Sequence, residues 1–195
     1  MITHIQNLVL FTISLSSFII YLYHNLFNSP INYNNIQKGI CLYSLVDLFF
    51  TKSKVSKLHH LFTVGIVYYC FYYDVNFIDC NDLTCFYLKT ESTSIFLVLK
   101  NYINKNSIAY KINILIFYLL FFKIRILDNY NAVVSSQSLL FPIIQKYSSN
   151  NIYNSSIIFV SCYGLYMINI YWFGLISHLM YKEITSHITK NKINN

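Results

Sequence analysis

His59 and His60 stand side by side in "KSKVSKLHHLFTVGIVYYCFYYD" (residues 52–74), behind three lysines and ahead of an apolar run. Imidazole moves protons near neutral pH, acts as a nucleophile and ligates metals. Two acids lie in comparably apolar surroundings, Asp47 in "YSLVDLFF" and Glu91 in "LKTESTSIF". A carboxylate in such a place needs a partner to stay charged, and the sequence offers both histidines, Lys89 and Arg125. An acid that orients an imidazole sets its tautomer and stabilises its charged form, as general-base or nucleophilic work requires. The simpler counterpart is a polar clasp between helices. Asn169 in "YMINIYWFG" divides in the same way, between an interhelical hydrogen bond and a ligand contact. Trp172 reads most simply as a packing residue.

A diiron site of the kind found in membrane desaturases and hydroxylases needs several histidine boxes to fill two coordination spheres. Here His4, His24, His178 and His187 are isolated, with no HxxxH or HxxHH, so no metal is expected. The five cysteines, Cys41, Cys70, Cys80, Cys85 and Cys162, include no CxxC pair. They outline neither a zinc site nor a disulfide framework. A Cys80 to Cys85 bridge is open only if their loop faces an oxidising lumen.

The elements that position these groups follow from composition. The 195 residues are 55% apolar and only 11% charged, too few charges to cover a soluble globule. An integral membrane protein is expected. The wealth of Ile, Asn, Lys, Tyr and Phe is what a low-GC genome encodes, so the 19 tyrosines carry little information. Arg125, the sole arginine, and Trp172, the sole tryptophan, carry more. The formal charge of +7 is dispersed among apolar segments without a basic stripe, so nucleic acid is not an expected partner; the lysines read as membrane-flanking charges.

A helix needs about 20 mostly apolar residues to cross the hydrocarbon core. Six stretches qualify: 5–27, 36–51, 56–73, 83–100, 108–127 and 155–181. The first lacks the basic start and small-residue cleavage pattern of a removable signal and reads as a retained span. Asp47 in the second and Lys89 and Glu91 in the fourth are costly in lipid, so these helices are expected to line an interior. Lysines gather between spans two and three, around the link between four and five, and after span six, whereas the link between three and four carries Asp74, Asp79 and Asp82. That alternation places both termini in the cytosol. The 128–154 link reads as an interfacial or re-entrant piece, and the Asn-rich ends as disordered tails. On this topology the histidines lie in the first turns of span three, at its cytosolic end. Consecutive helical positions point about 100° apart, so one imidazole is expected to face the interior and the other a neighbouring helix. The competing expectation puts both in the headgroup region among the lysines.

Taken in order, "YSLVDLFF", "KLHHLFTVGIVYY", "LKTESTSIFLVLKNY", "LLFFKIRI" and "INIYWFGLISHLMYK" resemble the TLC family of multi-span lipid proteins, which includes the ceramide synthases. The motifs span about residues 40–182, and their order is more specific than any one of them. The resemblance implies an all-α polytopic fold, about six helices in a barrel around a lipid-accessible cavity, usually in the endoplasmic reticulum. It implies one such domain over 1–185 with a polar cytosolic tail at 186–195. It also implies an acyl-coenzyme A-dependent acyltransferase that moves a fatty acyl group to a long-chain base amine. His59 and His60 would be catalytic, with Asp47 or Glu91 setting the imidazole tautomer and His60 favoured as base or acyl acceptor. Lys57, Arg125 and Asn169 are the candidate substrate-binding residues, with lysines drawing in the coenzyme phosphates. No bound cofactor is expected; membrane lipids and fatty acyl-coenzyme A are the expected partners, and a homodimer is an allowed assembly. The chain lacks the acidic run that follows the paired histidines in ceramide synthases and has no homeobox-like extension, so it is more similar to the small TLC-domain proteins. Some of those influence membrane lipid composition or trafficking without an assigned reaction, which sets a non-enzymatic lipid sensor or regulator beside the enzyme.

Overall fold

The computed structural model describes residues 34–72, 86–135, 140–148 and 152–193, together with residues 12, 13, 15–17, 19 and 20. Most of the expected first span lies outside the described residues, as do Cys80, Cys85 and the acidic link between spans three and four. Every regular element among the described residues is helical, in agreement with the all-α expectation. The helices are α1 (Asn34–Phe50), α2 (Lys54–Tyr72), α3 (86–92), α4 (Ser94–Leu99) and α5 (Ile108–Leu120). A π-helix follows over Phe121–Asp128, then α6 (Asn129–Val133), α7 (Leu140–Ser148) and α8 (Ile152–Ile193).

Local chemistry sets several of these boundaries. Ser53 accepts a hydrogen bond from the Ser56 backbone N–H at 3.3 Å, an N-cap that starts α2 only three residues after α1 ends. The two helices therefore form a tight antiparallel hairpin. Ser107 caps α5 in the same way through the Tyr110 N–H, at 3.2 Å. In the "TESTS" stretch the hydroxyls of Thr90, Ser92 and Thr93 donate to the carbonyls of Phe86, Lys89 and Thr90 at 2.9, 2.6 and 2.9 Å. Such back-bonding competes with the helical ladder and bends it. The segment expected as one helix over 83–100 is accordingly broken at Thr93 into α3 and α4. Two other expected spans also differ. The 108–127 helix passes from α to π geometry at Phe121 and regains α geometry through Val133. The last helix runs 42 residues, so the tail expected from 186 is helical through Ile193.

α2 lies between α1 and α8 and packs most extensively on both. Two apolar clusters flank it. Ile40, Val67 and Leu88 form one, and Leu140, Ile143, Ile158 and Cys162 form the other, with α7 laid against α8. Among the described residues polar side chains nevertheless outnumber apolar ones in the buried set, while apolar side chains line the exterior of every long helix, including Phe49, Ile108, Ile112, Leu119, Val160 and Leu179. This inverts the usual arrangement in water. One stretch among the described residues, Ser156–Lys182 within α8, is both long and apolar enough to cross a membrane. α1 spans only roughly 25 Å at 1.5 Å per residue, and α3 with α4 is interrupted.

Glycine lets α2 and α8 approach. A Cβ at Gly164 would fall 2.4 Å from the Phe62 ring, and one at Gly65 would fall 2.5 Å from the Ser161 hydroxyl. The hydroxyl can rotate away, but three atoms of a rigid ring cannot. Gly164→Ala is therefore expected to destabilise the protein by about 1–3 kcal/mol through overpacking. At Gly65 the gain in helix propensity, ~1 kcal/mol, offsets most of the clash. Thermal unfolding of both variants in detergent micelles measures the difference; equal midpoints would contradict the proposed packing.

Candidate functional site

Six of the residues singled out by sequence converge on one buried cluster. The last turn of α1 carries Asp47, and the second turn of α2 carries His59 and His60. α3 supplies Glu91, the π-helix supplies Arg125, and α8 supplies Asn169. His60 Nε2 lies 2.7 Å from Asp47 Oδ2, a hydrogen-bonding distance. His59 Nε2 lies 3.8 Å from Glu91 Oε1, and Arg125 Nη2 lies 3.6 Å from that same oxygen. Both contacts are ion-pair separations too long for hydrogen bonds.

Arg125 is bonded on every side. Its Nε donates to Thr93 Oγ1 and its Nη2 to Ser94 Oγ, each at 2.9 Å, while Nη1 donates to Asn169 Oδ1 at 3.3 Å. Its guanidinium also lies over the Phe121 ring, 5.3 Å from the centroid, a cation–π contact. With only 4% of its surface exposed, this cation would be prohibitively costly without that set of acceptors. The π turn brings it there: π geometry inside α-helices is rare and recurs at functional positions.

Both imidazoles are buried at 7% exposure, and both line the larger of two cavities. Both imidazoles thus face the interior, where the sequence leads us to expect one to do so and the other to meet a neighbouring helix. Their rings meet edge to face with centroids 5.3 Å apart. Trp172 covers His59 at 5.2 Å, and Tyr43 presents its ring to His60 at 5.6 Å. Thr63 donates to the His59 carbonyl at 3.0 Å, tightening that turn of α2. The Nδ1 atoms of His59 and His60, Glu91 Oε1 and Ser44 Oγ are buried without a hydrogen-bond partner among the described residues.

The larger cavity, about 390 Å³, has a polar wall of Tyr43, Asp47, Thr51, Ser56 and His60 and an apolar wall that includes Leu97, Phe117, Phe121 and Leu175. Behind it lies a tighter, mostly apolar space of about 70 Å³ between Ile40, Val67, Ala132, Leu140 and Cys162. His59, Tyr87 and Glu91 belong to both walls.

Two sequence expectations are not met. Lys57 is exposed and lines neither cavity, because its position on α2 turns it away from the cluster. Lys89, one candidate partner for the buried acids, is engaged elsewhere: it and Lys123 bind the two oxygens of Asp128, each at 2.6 Å. Among the described residues no three His, Cys, Asp or Glu side chains gather as a metal would require. The sequence reading missed the roles of Tyr43, Thr93 and Ser94, and of Trp172 as a cover for His59. The density of hydroxyls in "TESTS", within an otherwise apolar segment, was the signal available. No family model, no curated protein and no solved structure matches this chain.

Two measurements test the geometry. Arg125→Lys keeps the charge but loses the planar fork, stranding Thr93, Ser94 or Asn169, and is expected to cost ~2 kcal/mol in chemical unfolding; no change would remove the guanidinium from the core. Burial alone would raise the pKa of Asp128, but the hydrogen bonds from Lys123 and Lys89 and their charges outweigh it, holding the carboxyl below its ordinary value of 3.8. The resulting stabilisation is complete above that ordinary value and is lost as pH falls through the lowered one. In melts over a pH series, wild type is expected to exceed Asp128→Asn at neutral pH, with the gap closing below pH 3.8.

Proposed function

We propose that this chain is an integral membrane lipid-handling protein of the TLC type, acting as an acyl-coenzyme A-dependent acyltransferase. The observation that carries the reading is the pair of buried His60 and half-buried Asp47, 2.7 Å apart in the wall of an amphipathic cavity. Asp47 takes the Nε2 side of His60, which leaves Nδ1, buried and without a hydrogen-bond partner among the described residues, as the nitrogen to work as a base once a substrate is seated. His60 accepts the proton of an amine acceptor as its nitrogen bonds to the thioester carbonyl carbon. The C–S bond then breaks, and the leaving thiolate recovers the proton from His60. Acyl transfer to the imidazole itself, followed by attack of the amine, is the other route open to the same pair. Glu91 and Arg125 set the charge around His59, and the exposed lysines Lys52, Lys54 and Lys57, in and just after the α1–α2 connection, attract the coenzyme phosphates. The apolar exterior of the helices supports membrane association; about six spans, cytosolic termini and the endoplasmic reticulum belong to the proposal through the TLC resemblance.

One observation favours a second reading, a non-enzymatic lipid sensor or regulator. Among the described residues Arg125 is the sole lysine or arginine in the lining of the larger cavity, and it is engaged by protein groups, which leaves a coenzyme no dedicated phosphate ligand among them. Mass spectrometry of lipids and intact protein, after feeding isotope-labelled fatty acid to cells making wild type, His59→Ala or His60→Ala, separates the two. The enzyme reading expects a labelled lipid in wild type that is lost with His60→Ala. Well-folded protein with no labelled product, and no difference among the three, would support the sensor instead.

A further inference from the structure

We propose that Asp128, acting through Lys89, is a positioning residue for Glu91, and that the pair thereby holds His59 in the cavity wall. The inference rests on the reading of the histidine–acid cluster as the working site. It starts from two charge pairs that tie α3 to the π-helix in opposite senses. Lys89 of α3 reaches Asp128 of the π-helix, and Arg125 of the π-helix reaches Glu91 of α3. Lys89 and Glu91 are two residues apart and so point to different sides of α3, one away from the cavities and one into both of them.

The two ties differ in kind. The Lys89–Asp128 contact is a hydrogen-bonded ion pair of 2.6 Å, while Glu91 Oε1 touches Arg125 and His59 only at 3.6 and 3.8 Å and accepts no hydrogen bond among the described residues. Glu91 is therefore not anchored by bonds of its own to that oxygen. Its place follows from the α3 backbone, and α3 is a weak helix, with hydroxyls bonding its carbonyls and a break at Thr93. Two clamps fix it. Arg125 holds Thr93 and Ser94 at the C-terminal end, and Asp128 holds Lys89 on the N-terminal side. Lys123 has a separate part. It lies on the same π-helix as Asp128, its side chain is 64% exposed, and it makes no ion pair with α3 among the described residues. It shares the carboxylate without spanning the two elements.

That asymmetry gives a test that a general loss of surface charge cannot imitate. The full chain is reconstituted in phosphatidylcholine vesicles and treated with diethyl pyrocarbonate, and modification of His59 is quantified by peptide mass spectrometry. Asp128→Asn and Lys89→Gln are expected to raise His59 modification several-fold over wild type with helicity unchanged, and Lys123→Gln is expected to match wild type. The charge-swapped double variant Lys89→Asp/Asp128→Lys is expected to return toward wild type. Where labelled acyl product forms, Asp128→Asn lowers kcat several-fold with KM for acyl-coenzyme A unchanged. Equal responses of Lys89→Gln and Lys123→Gln, or no rise with Lys89→Gln, would overturn the assignment; this comparison stands even if Asp128→Asn fails to fold. A wild type that makes no product, yet shows the expected pattern at His59, retires the acyltransferase reading and leaves the positioning role in place.

Discussion

A buried guanidinium organises this protein. Arg125 sits almost fully out of solvent, and its charge is sustained by two hydroxyls, an amide, an aromatic face and a carboxylate drawn from α3, α4, α8 and the π-helix itself. Removing a charge from water costs several kcal/mol unless such a set of partners is in place, so the elements that carry them are bound to one arrangement. The π-helix carries the guanidinium to the cluster, and at the break the Thr93 hydroxyl, which donates to its own turn, and the Ser94 hydroxyl accept from it.

Asp47 and His60 form the second fixed point, and it depends on less. α1 and α2 are joined by three residues, so the end of one helix and the start of the next are neighbours by covalent necessity. His60 meets Asp47 across that corner, while His59, one residue earlier, turns toward Glu91 and Trp172. The two imidazoles thus share a cavity but not an environment: one lies 2.7 Å from a carboxylate, and the other is held by ring contacts and a longer ionic contact. Such unequal neighbours are a common way to assign different proton-transfer tasks to like groups.

The distribution of polarity accounts for the cost of this interior. Hydroxyls, amides and ions fill the centre, and Leu, Ile, Phe and Tyr face outward along α1, α5 and α8. Apolar burial therefore supplies less of the cohesion than it would in a water-soluble domain. Close backbone approach at Gly65 and Gly164, interhelical hydrogen bonds such as Asn113 to the Phe96 carbonyl at 2.9 Å, and the ionic ties of α3 to the π-helix take a larger share.

Much of this was legible beforehand. The all-α class follows from long apolar stretches punctuated by lysines. The membership of His59, His60, Asp47, Glu91, Arg125 and Asn169 in one cluster follows from a single physical fact, that polar groups in apolar helices seek one another. Pairing was not legible, because it depends on rotation about helix axes that spacing leaves free. Lys89 and Arg125 were equal candidates for Glu91 in one dimension; only the packing of α3 on the π-helix sent Lys89 to Asp128 and Arg125 to Glu91. The π turn was equally hidden, since its geometry serves Arg125 contacts with α4 and α8 that spacing does not reveal, whereas the break at Thr93 had a local signal in the "TESTS" hydroxyls. The sequence by itself determined which residues had to leave the apolar surface. Tertiary structure alone decided which of them meet, because the cost of an unpaired buried charge is settled only when the neighbouring helices are in place.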